Sequence, residues 1–432
     1  MKKENILLLA GNFYPEATGI GKYNGEMFEW LSKQGHSCTV VTTFPYYPYW
    51  KVQNPYVKRC FWFKKEIIPV ENGLPINIIR CPHYVPKNPS GSNRVLSEFS
   101  FFLTAYLVLF YLLFKKKFNY IITVAPPFEI GLLGIFFRAI KGGKLIYHIQ
   151  DLQIDAARDL GIIKSKFIIN YFLWIEKFIL KNADFISTIS PGMREKIMYK
   201  FNKEVILFPN WVDIKSFFPI IDKLLLKANF GFQNTDTVIL YSGAIGNKQG
   251  LEDILHSAKA LAHLGHIKFA ICGSGPYKIN LVKLKDELNL SNVFFLPLQP
   301  LSEFNSFLNM ADIHLVIQKK GADDLFLPSK LSAILSVGGV AIVTAIKNTS
   351  LYNIIYAHNT GILIEPENQL ALNSAIINAD KLQIAEMSIN ARIYAENFLS
   401  SDKILSEFFV LAFKSQHKDL LLTKPVVIPV SK

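Results

Sequence analysis

Twice along this chain, short runs of aliphatic and β-branched residues alternate with longer stretches of helical period, and that alternation narrows the fold more than any other feature. The first series comprises ILLLA at 6–10, SCTVVTT at 37–43, NYIITV at 119–124, KLIYHI at 144–149 and DFISTIS at 184–190. Runs this continuously apolar read as strands covered on both faces, which is the parallel sheet with helices on either side. Helical stretches fall between them, at about 21–34, 95–114, 128–140, 165–181 and 191–200. After Phe208-Pro209-Asn210-Trp211, a proline-containing connector, the alternation begins again. Its strands are TVILYS at 237–242, IKFAIC at 267–272, NVFFLP at 292–297, DIHLVIQ at 312–318, GGVAIVT at 338–344 and GILIE at 361–365. Two series predict two Rossmann-like, doubly wound α/β domains, over 1–207 and 208–397. A helix over 398–415 is expected to pack back on the first domain, and 416–432 to form an irregular tail.

Half the residues are hydrophobic and 19% are charged, which excludes a disordered chain. Lys and Arg outnumber Asp and Glu by 47 to 34, and a net charge of +13 asks for an anionic partner. Cys38, Cys60, Cys81 and Cys272 have neither C-x-x-C nor zinc-finger spacing, so reduced thiols in the cytoplasm are expected. Behind Lys2 and Lys3 the apolar run is only Ile6 to Ala10, with no small-residue cleavage site, which argues against a signal peptide. The longest apolar stretch is Phe99 to Phe114, followed by Lys115, Lys116 and Lys117. As a helix it reaches about 24 Å, short of the roughly 30 Å of a bilayer core. It therefore reads either as a core helix or as a helix resting in a lipid interface beside its basic collar.

In open α/β sheets ligands sit beyond the carboxyl ends of the strands, so the residues there are the candidates for chemistry. After the first strand, Tyr14 is followed by Gly19 and Gly21, which open a helix whose free amides favour an anion. The spacing is not G-x-G-x-x-G, because Asn24 stands in the last position, and no acidic ribose partner follows the second strand. Those gaps argue against a nicotinamide-dependent oxidoreductase. After the fourth strand of the series come His148 and Asp151, placed to touch a sugar or phosphate. The second half carries a Gly-rich turn, Gly243-Ala244-Ile245-Gly246-Asn247-Lys248, whose amides and lysine suit a diphosphate. Gly273 and Gly275 follow the next strand and leave room for a flat base. Later Asp324 precedes Pro328, Ser329, Lys330 and Leu331, a polar loop running into a helix start where phosphates collect.

Taken in order, these pieces resemble the family 4 retaining glycosyltransferases of the GT-B fold, and more closely the colanic-acid type that builds exopolysaccharide and O-antigen units. The resemblance rests on TGIGKYNGEM at 18–27, FPYYPYWKV at 44–52, CPHYVPKNPS at 81–90, YHIQDLQIDA at 147–156 and STIS at 187–190. It continues with FPNW at 208–211, YSGAIGNKQGLE at 241–252, FLPLQP at 295–300, ADIHLVIQKKGADDLFLPSKL at 311–331 and VGG at 337–339. It implies two Rossmann-like domains facing each other across a cleft, and transfer of a sugar from a nucleotide-diphosphate sugar with retention and without a metal or other cofactor. It implies a polyprenyl-diphosphate-linked saccharide as acceptor and peripheral attachment to the inner, anionic face of the plasma membrane. The sugar it suggests is a deoxyhexose such as fucose.

Carried over by position, His148 would contact the transferred sugar, and Lys248 and Lys330 would face the leaving diphosphate. Gly19, Gly21, Gly243, Gly246, Asp324, Ser329 and Leu331 would line the donor, and Gly273 and Gly275 would flank its base. Tyr14, Asp151 and Asn210 belong to the cleft or acceptor side. The chain departs from the wider family where two Glu are usual, with Leu325 and Ala333 there, and Ala244 stands where Asn or Arg is common. A degenerate, non-catalytic transferase serving as a membrane-bound partner is therefore the alternative. Lys58-Arg59, Lys64-Lys65 and the 99–117 segment lie in the acceptor-side domain, where docking on lipid is expected. Nucleic acid is not, because the basic residues form no stripe and no binding module is present.

Overall fold

The apolar runs of the first half lie side by side in one sheet. In chain order its strands are β1 (Asn5–Ala10), β2 (Ser37–Thr43), β3 (Lys64–Ile68), β4 (Ile76–Cys81), β5 (Tyr120–Ala125), β6 (Lys144–Ile149), β7 (Phe185–Thr188) and β8 (Ile206–Leu207). The spatial order is β3-β4-β2-β1-β5-β6-β7-β8, parallel except between β3 and β4. The second half forms a parallel sheet of β9 (Thr237–Ser242), β10 (Ile267–Cys272), β11 (Val293–Leu296), β12 (Ile313–Val316), β13 (Ala341–Thr344) and β14 (Gly361–Ile364), ordered β11-β10-β9-β12-β13-β14. These are the features of a computed structural model that describes residues 3–16, 19–87, 91–159, 163, 165–320, 329–379 and 384–414. The chain divides into Met1–Pro209 and Asn210–Lys432, two residues beyond the expected boundary.

Apart from the antiparallel β3–β4 pair, each sheet reverses its order once, between β1 and β5 in the first unit and between β9 and β12 in the second. Those reversals are the switch points at which open α/β sheets take ligands. β1 and β5 are buried from Ile6 and Tyr120 onward, as their composition requires. Local chemistry fixes the helix starts: Ser190 accepts from the Met193 amide (3.3 Å) ahead of Pro191–Phe201, and Thr349 does the same for Tyr352 (3.2 Å) ahead of Ser350–His358.

Several elements differ from the sequence expectation. β3 and β4 stand where no strand was predicted, and short helices occupy Gln153–Asp159 and Leu224–Asn229. β3 is an edge strand whose Lys64 pairs with Glu66 (2.7 Å) and whose Lys65 donates to the Tyr111 hydroxyl (3.2 Å). The apolar segment extends to a helix over Gly91–Leu113, about 35 Å in length and apolar enough to cross a membrane. Its inner side, with Phe101, Ala105, Leu109 and Leu112, nevertheless belongs to the core of the first unit. One face is core and the other is open. In the second unit, Ser401–Lys414 starts beside residues 212–215, through a Val212–Ser400 bridge and a Lys215–Asp402 ion pair (2.7 Å).

Candidate active site

In the second unit the loops after β9 and β10 are zipped together at the carboxyl edge of the sheet. The Gly243 amide donates to the Cys272 carbonyl (2.9 Å), and the Ile245 amide donates to that of Ser274 (2.9 Å). A Cβ at Gly273 would overlap the Gly243 carbonyl oxygen, and one at Gly275 would overlap that of Ile245. The room that these glycines provide is thus filled by the neighbouring loop. The Gly246 amide is also engaged, by the Gln249 Oε1 (3.1 Å), so three amides of the Gly-rich turn already have acceptors. Lys248 lies in the short 3-10 turn Asn247–Gln249. Lys319, after β12, donates to Asn247 (3.1 Å) and pairs with Glu252 (3.5 Å), tying a third loop to the turn.

Against this frame sits the start of the helix Ser329–Ser336. Ser329 opens it, Leu331 buries its side chain in the core, and Asp324 lies outside the described residues. Lys330 projects beside the glycine turn. A Cβ on Gly243 would stand 3.6 Å from its Cδ and 3.8 Å from its Nζ. The ammonium lies 3.9 Å above the Tyr241 ring, whose hydroxyl is held by the Ala244 carbonyl (2.6 Å). It is shut off from solvent and has no hydrogen-bond partner among the described residues. Burial without an anion pushes its pKa down to about 7. Structural lysines in the same chain differ: Lys227 reaches Asp312 (2.7 Å) and the Asp236 carbonyl (2.7 Å). The aromatic face softens the isolation of Lys330, yet among the described residues it leaves a cation without an anionic partner at a helix N-terminus.

In the first unit, Glu16 fills the space that Gly21 leaves: a Cβ there would lie 2.7 Å from its Oε2. Glu16 accepts from the amides of Tyr46 (2.9 Å) and Tyr47 (2.8 Å) and from Asn12 Nδ2 (2.8 Å). Burial raises its pKa against the pull of those bonds. Gly19, at φ +60°, faces the Tyr47 ring. Tyr14 is exposed, with its carbonyl held by Arg80 (2.8 Å). His148, on β6, is buried against Phe208 (5.1 Å between rings) and within 3.0 Å of the Ser187 hydroxyl. Burial drives its pKa down to about 3, which favours the neutral imidazole at physiological pH. Asp151 follows β6. Asn210 opens the second unit, its Oδ1 buried and without a partner among the described residues.

Sequence reasoning overlooked a cluster above the first sheet. Gln153 donates to Glu98 (2.8 Å) and accepts from the Phe128 amide (3.1 Å), next to Glu129. Burial raises Glu98 to about 8 and Glu129 to about 7, with Glu129 also opposing the charge of Glu98. His83, beside the Tyr46 ring at 4.8 Å, has neither ring nitrogen bonded among the described residues. Such a set suits a polyhydroxyl ligand better than an anion. The available signal was a lone glutamate on each apolar segment, at 98 and 129. Among the described residues no three His, Cys, Asp or Glu gather as a metal would need.

Residues 18–211 match the family described as glycosyl transferase 4-like domain, and residues 222–397 that described as glycosyl transferases group 1. The chain is 37% identical over 419 residues to a colanic acid biosynthesis glycosyl transferase, WcaI, of Escherichia coli (strain K12), covering 93% of this chain and 98% of that one. Sucrose-phosphate synthase from Thermosynechococcus elongatus superposes with a TM-score of 0.71 at 17% identity, over 95% of this chain and 99% of that chain. HepE of Anabaena, in complex with UDP, gives 0.69 at 11% identity over 95% and 100%. At these identities the two structures speak for the fold alone, which is GT-B.

Proposed function

The chain belongs to the family 4, group 1 glycosyltransferases, and from that premise we propose a retaining, metal-independent transfer of sugar from a nucleotide-diphosphate donor to a lipid-linked saccharide. The reading rests on one observation, the ammonium of Lys330 beside the Gly243 turn, shut off from solvent and without a hydrogen-bond partner among the described residues. A leaving diphosphate gains negative charge as the glycosidic bond breaks, and a fixed cation with a helix N-terminus behind it stabilises that charge. Occupied by a diphosphate, the site would restore to Lys330 the proton that burial now disfavours. Lys248, Ser329 and Asp324 belong to the same donor side, with Gly243, Gly246, Gly273 and Gly275 as its rigid frame. The neutral His148 hydrogen-bonds the transferred sugar, and Tyr14, Asp151 and Asn210 serve the acceptor side.

A nucleotide sugar as donor agrees with HepE, a structural relative solved with UDP-glucose. Exopolysaccharide synthesis agrees with the colanic acid role in the name of the Escherichia coli relative. A deoxyhexose such as fucose is the sugar to try first. The enzyme would work at the cytoplasmic face of the plasma membrane, where a polyprenyl-diphosphate acceptor is anchored and the +13 charge meets anionic lipid.

Calorimetric titration of the full chain with UDP and GDP, with and without EDTA, tests the proposal. One diphosphate should bind, indifferent to EDTA, and Lys330→Met should weaken it severely. Undiminished binding to that variant would remove the carrying observation. A requirement for divalent metal would overturn the metal-independent step, and silence from both nucleotides would favour the degenerate partner.

A further inference from the structure

We propose that the outer face of the helices Gly91–Leu113, Ile130–Lys141 and Lys166–Asn182 is the surface through which this protein docks, without spanning, on an anionic lipid bilayer. The inference deepens the membrane association proposed above and rests on it. A helix covering a soluble domain turns polar residues outward. Lys166–Asn182 instead is apolar on both sides. Inward, Ile169, Ile179 and Leu180 are buried, with Ile179 and Leu180 in the core of the first unit. Outward, Phe167, Tyr171, Trp174 and Phe178 recur at the spacing of one helical face, with Phe167 80% and Trp174 63% exposed. Their rings form a ladder, Tyr171 on Trp174 at 6.2 Å and Trp174 on Phe178 at 6.3 Å, both nearly parallel.

Gly91–Leu113 repeats the pattern with Leu103, Leu107, Phe110 and Phe114, the last just past its end and 74% exposed. Ile130–Lys141 lies between, its Phe136 against Tyr106 (5.1 Å between rings) and its Ile140 exposed. All three helices feed one core cluster, so their outer sides make one layer. A contiguous apolar surface of this extent marks an interaction site.

Charge identifies the partner. The acids on these helices are withdrawn: Glu176 is buried and Glu98 is bonded to Gln153. Lys166, Lys177 and Lys181 stay exposed along the third helix. In a parallel sheet the crossover helices run opposite to the strands, so their last turns gather at one edge. That edge carries Lys115, Lys116, Lys117, Lys141 and Lys181. Aromatic residues between lysines match the headgroup boundary of an anionic leaflet, whereas a second copy of a +13 chain would be repelled.

The test is sedimentation of the full chain with vesicles of phosphatidylcholine alone and with added phosphatidylglycerol, with tryptophan quenching by brominated lipid. Binding should require phosphatidylglycerol and weaken with salt. Trp174→Glu and Phe110→Glu should each lower partitioning about tenfold, the scale of one aromatic transfer, with nucleotide titration and thermal unfolding unchanged. Undiminished binding by both variants would overturn this surface and leave membrane association standing. No binding by the parent chain would overturn both, while the nucleotide titration still reported on the transferase. A dimer in ultracentrifugation that Trp174→Glu dissolves would assign the face to a second copy and overturn the proposal.

Discussion

A buried lysine is informative when its surroundings fail to satisfy it. Lys203 donates to the carbonyls of Leu180 and Ala183 (2.7 Å each) and Lys227 pairs with Asp312, so both are accounted for by the fold. Lys330 has no such partner among the described residues, and burial lowers its pKa to about 7 by disfavouring the charged form. Replacing it with Met should lower turnover by about 2–4 kcal/mol in transition-state stabilisation. The unfolded chain holds this proton up to about 10.4 and the native state only to about 7, so the charged form disfavours folding at neutral pH. Lys330→Met should therefore leave the apo midpoint of thermal unfolding unchanged or raise it. Loss of rate together with loss of stability would instead mark a structural lysine. Nucleotide affinity carries the complementary signature. A bound diphosphate raises the pKa of Lys330, so affinity is full below pH 7 and falls as pH climbs above it. Titration in buffers of different ionisation heat should register proton uptake at pH 8, and equal heats would remove Lys330 from contact with the phosphates.

At the scale of elements, the Gly-rich turns hold loops together before they hold any ligand. Gly275, at φ +155° with the Ile245 carbonyl where a Cβ would go, cannot take a side chain without parting the loops after β9 and β10. Gly275→Ala should destabilise the second unit by about 2–4 kcal/mol and weaken nucleotide binding. Gly265→Ala, with open space around it, should do neither; thermal melts of the two variants side by side decide the point. This also explains what the sequence did and did not disclose. SCTVVTT, KLIYHI, TVILYS and IKFAIC form strands over the predicted residues, because a continuous apolar run specifies a buried parallel strand by itself. β4 was unreadable because INIIRC carries Arg80, a fully buried cation satisfied by Glu66 (2.5 Å) and by the carbonyls of Thr43 and Tyr14. Those partners lie 14 to 66 residues away. β3 pairs lysines with an edge position, where charge is no bar to a strand. The glycine and lysine motifs of the site were legible as types at strand ends. Their division of labour, amides spent between loops and the Lys330 ammonium without a hydrogen-bond partner among the described residues, exists only once the loops meet.

Across the whole molecule, buried histidines and buried glutamates set opposing pH limits on stability. Burial holds His83, His148 and His314 at about 3, against about 6.5 in an unfolded chain. Below 6.5 the unfolded state takes up protons that the native state refuses, so these groups withdraw stability as pH falls. Glu98 at about 8, and Glu129 and Glu176 at about 7, are raised from the ordinary value near 4.3. Their native state keeps protons that the unfolded state releases, so they withdraw stability as pH rises from about 4.5 to about 7–8. Between about 4.5 and 6.5 the two sets nearly cancel. Below that window the histidines act alone, with a combined slope of at most about 4 kcal/mol per pH unit. Above it the carboxyls dominate, offset in part by Lys330, which recovers stability as pH rises past 7. Urea unfolding at pH 4, 5.5 and 8 should give the highest midpoint at 5.5. All three glutamates lie in the first unit whereas His314 lies in the second. The alkaline loss should therefore be confined to the first unit's transition, and the acid loss should reach both. A midpoint that climbs steadily from pH 4 to 8 would mean that the glutamates are ionised in the native protein, and the cluster of Glu98, Glu129 and Gln153 would then read as a cation-accepting site instead of a neutral one.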